Sequence, residues 1–214
     1  VPPKMRWGPE QRLADMDSLG VDVHVLSSTP TLYGYDWDPK ITIAVNKECN
    51  DEVAQMTKSW PDRFAGFATL PMQDVKAAVV ELERAVTKLG LKGAMIDDHV
   101  NGLTYDEPQF LPFWKAAEQM GALIFVHQLG GYTVVTHRTK RYFLGNTIGN
   151  LTDRAITYAS LVFGGVMDKC PDLNVCLAHG GGYVCYGIGR MDRGWQVIPA
   201  ARENIHQPPS AYLR

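Results

Sequence analysis

The sequence predicts an α/β protein in which helices cover a parallel sheet. One unit recurs five times along the 214 residues: a short apolar run rich in β-formers, a turn, then a helix of 3.6-residue periodicity. The runs are also too apolar for an open antiparallel sheet, whose strands alternate between core and water.

The first run is 21–26, Val-Asp-Val-His-Val-Leu. A long connection with Tyr33, Tyr35 and Trp37 leads from it to a helix across 41–59. The second run, 63–70, precedes an amphipathic helix. There Val75, Ala78, Val79, Leu82, Val86 and Leu89 share one face, and Lys76, Glu83 and Arg84 point elsewhere. The third run, 93–96, is followed by Asp97, Asp98 and His99, and its helix carries Phe110, Phe113, Trp114, Ala117 and Met120. The fourth, 122–126, is apolar on both faces and ends in His127; a second long connection precedes a helix over about 151–169. The fifth, 173–178, ends in His179 and three glycines. The last helix holds Arg190, Asp192, Arg193 and Trp195, and an irregular tail follows from 208. Two closures satisfy this pattern, an open doubly wound sheet or a barrel. The first strand lacks a following Gly-rich phosphate loop, which weakens the dinucleotide-binding version of the former.

The length suits a single domain, 1–214, with a large core. A formal charge of −2 gives no basic footprint, so no nucleic-acid partner is expected. No apolar run is long enough to span a membrane. The chain opens on Val-Pro-Pro-Lys, with neither an initiator Met nor a signal-type segment. It is therefore expected to have been processed, or to begin inside a longer protein. Cys49, Cys170, Cys176 and Cys185 contain no C-x-x-C pair, which points to reduced thiols and a cytoplasmic location. Cys176, within an apolar run, reads as a small core residue.

In either parallel architecture the chemistry lies at the carboxyl ends of the strands. His127 and His179 each terminate an apolar run. Imidazoles at adjacent strand ends can share one metal ion, and catalytic zinc has about three protein ligands plus water. Each histidine alone is as well read as a hydrogen-bonded rim residue, but two at equivalent positions favour function. Glycines 180–182 would let backbone and ligand approach closely. Asp97, Asp98 and His99 read as the start of a turn, with one of them lining the pocket. His24 lies within a strand and reads as structural; His137 and His206 read as solvated. Arg190 is either a surface arginine paired with Asp192 or a fork for a substrate carboxylate. Tyr33, Tyr35, Trp37, Tyr132, Tyr142 and Phe143 sit in long connections and are candidates to wall a flat, conjugated substrate, although some must simply pack.

At His127 and at 177–183, Leu-Ala-His-Gly-Gly-Gly-Tyr, the sequence resembles the amidohydrolase superfamily, in the branch that contains aminocarboxymuconate semialdehyde decarboxylase. The likeness runs through nearly the whole chain. It includes 12–23, 26–30 (Leu-Ser-Ser-Thr-Pro), 70–74 (Leu-Pro-Met-Gln-Asp), 125–127, 144–146 with Thr152, and 187–195. The resemblance implies a (β/α)8 TIM-type barrel, of which this chain would supply about five central β/α units, without the first strand and the last ones. It implies that His127 is a ligand of one divalent metal, usually zinc, and that His179 is the general acid/base. Arg190 would then cross a homodimer interface to hold a substrate carboxylate; Tyr142 and Phe143, from their place in the long connection and not from the resemblance, are the residues expected to confine the ring. The family's His-x-His on the first strand and its metal-binding late aspartate have no counterpart here. The Pro-Trp-Asp that follows the decarboxylase's strand-end histidine is replaced by Gln-Leu-Gly-Gly at 128–131. The function expected from this likeness is metal-dependent, non-oxidative decarboxylation of a small aromatic or muconate-type carboxylic acid. The alternatives are hydrolysis or hydration of a ring-cleavage product on the same scaffold, or a catalytically inactive homologue.

Overall fold

A computed structural model describes residues 3–129 and 133–213. Expectations placed on Tyr132, the glycines at 130 and 131, and the two chain ends lie outside the described residues. Helix α1 (Pro9–Leu19) leads into β1 (His24–Leu26). Then follow α2 (Pro39–Ser59), β2 (Phe64–Gly66), α3 (Val75–Arg84), β3 (Gly93–Ile96), α4 (Leu111–Gln119) and β4 (Leu123–Val126). The chain closes with α5 (Asn150–Phe163), the single turn α6 (Val166–Lys169), β5 (Asn174–Leu177) and α7 (Val184–Val197).

All strand pairs are parallel. β1 pairs with β2, β3 with β4, and β4 with β5. The two groups meet at a bridge between Ala68 and Ala94, where Ala68 donates to Gly93 O at 2.9 Å and Met95 donates to Ala68 O at 2.8 Å. The strand order is therefore the chain order, without the reversal that defines a doubly wound sheet. Every carboxyl end emerges on one side of the sheet, and that geometry brings the strand-end side chains together.

The core follows from the apolar stripes. Ala78, Leu82, Ala85, Phe113, Trp114 and Ala117 pack in one cluster with Ile96, Ile124 and Val126 from the strands. Gly93 fits this close packing because it has no side chain. At φ +148°, a Cβ there would sit 1.9 Å from Leu123 O on the neighbouring strand. Gly93→Ala is expected to destabilise the protein by about 2–3 kcal/mol through forced backbone displacement. A shift of the urea midpoint at unchanged m-value would show this; an unshifted midpoint would refute it.

Three expectations change. The helix predicted over 151–169 breaks at Gly164 and Gly165. A Cβ on Gly164 would fall 2.1 Å from Asp106 Cβ, and Gly165 takes a left-handed φ of 72°. The first run is strand only from His24, and Val21, Val23 and Val25 remain 36%, 52% and 47% exposed. Cys176 is exposed rather than core, because β5 has no strand on its outer side among the described residues. All four cysteines are free, and among the described residues no helix is long and apolar enough to cross a membrane.

Candidate active site at the strand ends

His127 extends β4 by one residue. Its N–H donates to Ile96 O at 2.8 Å, and its carbonyl accepts the Tyr33 hydroxyl at 2.8 Å. Its Nδ1 lies 3.1 Å from Gln128 O, so a proton held there leaves Nε2 open as a lone-pair donor. His179 follows β5 and opens a tight turn in which it and the next three residues all take positive φ, at 57°, 61°, 74° and 61°. Glycine is required at 182, where a Cβ would meet Leu151 O at 2.4 Å and Arg154 Cβ at 3.0 Å. The turn thus seats directly on α5 and aims the His179 ring at His127; the ring centroids lie 5.2 Å apart at 58°. Burial lowers the pKa of both imidazoles below the usual 6.5. The Arg154 charge adds to this for both, and the neighbouring His179 adds to it for His127. Near neutrality the site therefore presents two neutral imidazoles, suited to binding a cation or accepting a proton.

Behind the histidines lies a polar network that the sequence did not disclose. Arg154, on the inner face of α5, has no solvent exposure. Its Nη1 donates to Asp98 Oδ1 at 2.7 Å, and its Nη2 donates to Gln128 Oε1. The Thr157 hydroxyl reaches Asp98 Oδ1 at 2.9 Å. Asp97 Oδ1 accepts from the backbone of Asp98 at 2.8 Å and of Leu129 at 2.9 Å, tying the end of β3 to that of β4. Burial pushes the Asp98 carboxyl up to about 6 while Arg154 pulls it down. Burial likewise lowers the Arg154 pKa. Asp98 Oδ2 and Arg154 Nε are buried without a hydrogen-bond partner among the described residues. The signal that could have found Arg154 was the set Asn150, Asp153, Arg154 and Thr157, which shares the buried face of α5 with Tyr158 and Leu161.

The other sequence-selected residues are placed differently. Arg190 is exposed on α7 and forms no ion pair among the described residues; Asp192 instead accepts from Ser210 N at 2.8 Å. Tyr142 and Phe143 stand 81% and 74% exposed, both at left-handed φ, and Arg141 lies 5.6 Å from the Tyr142 ring centroid. Tyr33 and Tyr35 are buried and stacked at 5.5 Å, so they pack beneath the site rather than wall it. His99 closes a turn, with Nδ1 accepting from Gly102 N at 3.2 Å. His24, His137 and His206 are exposed.

A catalytic divalent ion has about three protein ligands. The open Nε2 of His127 fits one such position, and its Nδ1 contact with a backbone carbonyl is the support that metal-bound histidines ordinarily have. Among the described residues no three His, Cys, Asp or Glu side chains converge as a shell, so these residues fit part of a metal site and do not complete one.

Sequentially ordered parallel strands with paired imidazoles at their carboxyl ends define an α/β chain whose site sits on one rim of the sheet. A family model described as Amidohydrolase matches residues 3–213. The chain belongs to the amidohydrolase superfamily, in the branch of aminocarboxymuconate semialdehyde decarboxylase-like proteins. It is 35% identical over 193 residues to a 2-amino-3-carboxymuconate-6-semialdehyde decarboxylase of Dictyostelium discoideum, covering 90% of this chain and 53% of that protein. A 5-carboxyvanillate decarboxylase from Sphingomonas paucimobilis superposes with a TM-score of 0.86 at 30% identity, over 94% of this chain and 61% of the other. A dihydroxybenzoic acid decarboxylase from Polaromonas sp., solved with manganese and 2-nitroresorcinol, gives a TM-score of 0.88 at 27% identity, over 99% and 69%. The chain thus spans only about half the length of the Dictyostelium relative.

Proposed function

We propose that the protein is a metal-dependent lyase that removes carbon dioxide, without oxidation, from a small aromatic or muconate-type carboxylic acid. The observation that carries this reading is the His127–His179 pair, two neutral imidazoles 5.2 Å apart at adjacent strand ends. Its relatives' decarboxylase names support it. The five sequential β/α units are read as part of one (β/α)8 barrel domain, in the cytoplasm. His127 Nε2 would hold a single divalent ion, zinc or another metal such as the manganese of the Polaromonas structure. The family's His-x-His and aspartate would supply the rest of the shell. The chemistry such an ion supplies when bound is polarisation of a substrate oxygen.

The chain's own residues would do the rest. The bond that breaks joins the carboxylate carbon to the ring or chain carbon, and its electron pair stays on that carbon. A proton must replace the lost group; the neutral His179 ring would first take one from a water molecule and then pass it to that carbon, returning to its neutral form. Arg190, free of any ion pair among the described residues, would clamp a substrate carboxylate, in a neighbouring subunit if the protein is the homodimer that the family likeness implies. Tyr142 and Phe143 would close over the ring from their exposed positions.

The test is carbon dioxide release by the full-length protein from a panel that includes 2,6-dihydroxybenzoate and 5-carboxyvanillate. Activity should fall to background after chelation and return with zinc or manganese. Turnover that persists without metal, or water addition without carbon dioxide release, would overturn the reading.

A further inference from the structure

One hydrogen bond beneath the histidines comes from outside the strand ladder. In a parallel pair, a residue donates to one residue of the neighbouring strand and accepts from the residue two further along it, as Ala68 does with Gly93 and Met95. His127 N–H donates to Ile96 O at 2.8 Å, so the donor due at His127 O is Asp98 N–H. That group is held instead by the Asp97 side chain at 2.8 Å, and the Tyr33 hydroxyl donates to His127 O at 2.8 Å in its place.

The hydroxyl is firmly seated. Tyr33 is buried, and its ring stacks on Tyr35 at 5.5 Å. The carbonyls on either side of it are both held. Leu32 O accepts from Asn46 Nδ2 at 2.9 Å, and Gly34 O accepts from the Thr42 hydroxyl at 2.8 Å and from Gln73 Nε2 at 2.9 Å. Thr42 and Asn46 lie on the buried face of α2, and holding this loop is the reason that face is polar. Tyr33 in turn restrains the peptide that joins His127 to Gln128. The next carbonyl along, Gln128 O, is the one that lies 3.1 Å from His127 Nδ1. Rotation of that peptide would move this carbonyl away from the ring.

We propose that Tyr33 is a positioning residue for His127. Its hydroxyl stands in for the last rung of the ladder and so holds the ring with its proton on Nδ1 and the Nε2 lone pair open. That Nε2 takes a metal ion rests on the metal-dependent reading above, whereas the hold on the ring belongs to the folded chain and is measured without metal or turnover.

Tyr33→Phe removes the hydroxyl and keeps the stacked ring. Tyr158→Phe is its control, because it deletes the same kind of bond, a buried tyrosine hydroxyl to Pro209 O at 2.6 Å, directed at the tail instead of the histidines. The full-length protein and both variants are compared by the imidazole nitrogen NMR shifts of His127, before metal is added and at a pH where the ring is neutral. Zinc affinity is then measured by competition with a chelator. The wild-type shifts should report one tautomer, protonated at Nδ1. In Tyr33→Phe they should move towards the average of the two tautomers. Its zinc Kd should rise by about tenfold to a hundredfold, the range for losing a group that orients a metal-bound histidine. Turnover lost at limiting zinc should return at saturating zinc, and Tyr158→Phe should match the wild type in shifts and Kd. Unchanged shifts in Tyr33→Phe overturn the proposal whatever its zinc affinity, as does an equal effect of both variants or a wild-type ring protonated at Nε2. Where zinc binds, an unchanged Kd in Tyr33→Phe overturns it too. If the wild type binds no zinc yet Tyr33→Phe alone changes the ring shifts, the metal-dependent reading fails and this one stands. If zinc binds with the expected loss but no carbon dioxide is released, decarboxylation alone fails.

Discussion

Arg154→Met is expected to destabilise the protein by about 3–5 kcal/mol, a large part of the stability of a domain this size. The loss comes from what the substitution leaves behind rather than from the contact it removes. Asp98 is 3% exposed, and without Arg154 its charge keeps only the Thr157 hydroxyl and loses its counter-ion. Gln128 Oε1 loses its partner at the same time. The loss should depend on pH in a definite sense. Burial places the native Asp98 pKa near 6, above the ordinary 3.8, so the folded state holds this proton more tightly than the unfolded one. The contribution of Asp98 is then greatest below about 3.8 and declines as pH rises through about 6. Removing the guanidinium raises this pKa further, so Arg154→Met should be least damaging in acid and most damaging near neutrality. The control is Asp98→Leu with Arg154→Met. A buried pair replaced by apolar groups of similar volume is close to neutral, so the double variant should recover most of the loss. Urea unfolding of the set checks this, and a double variant as unstable as the sum of its singles would refute the account.

This network also marks the limit of what was legible in the sequence. The five runs and their helices were readable because burial imposes period on apolar residues. Gly93–Ile96 and Leu123–Val126, buried by helices and flanking strands, lie within one residue of the runs that periodicity marks. Agreement fails at the sheet's margins. There Val23, Val25 and Cys176 carry a core residue's chemistry without a core around them in these residues. Composition registers what a side chain would bury, but not whether its cover is present. The histidines were visible because each ends an apolar run, a signal local in sequence. Arg154 was not, because its meaning lies in partners 56 and 26 residues away, Asp98 and Gln128. Each of these looks like a turn or surface residue by itself. Tyr33 and Tyr35 failed in the opposite sense, since long connections suggested an open wall where the fold stacks them under the site.

His179→Ala in the full-length protein is expected to reduce turnover by about a thousandfold, the range for a group that carries a proton in the rate-determining step. The fold should survive, because His179 is only partly withdrawn from water and its ring makes no hydrogen bond among the described residues. Backbone geometry complicates a simple reading, since His179 sits at φ 57°, where alanine itself is strained by roughly 1–2 kcal/mol. Asparagine tolerates that conformation and keeps a polar group there, but it cannot take up a proton near neutrality. Turnover should therefore remain low in His179→Asn while its thermal midpoint returns to the wild-type value. If asparagine restored turnover, the histidine would matter for the shape of the turn and not for proton transfer. The pH dependence gives an independent reading of the same role. Burial first, and the Arg154 charge second, lower the His179 pKa, so the ring gains its proton only as pH falls below 6.5. Wild-type activity that requires the neutral ring should hold through neutrality and decline on the acid side below that value. In His179→Asn the residual rate should lose that acid limb, because the group that titrates there is gone.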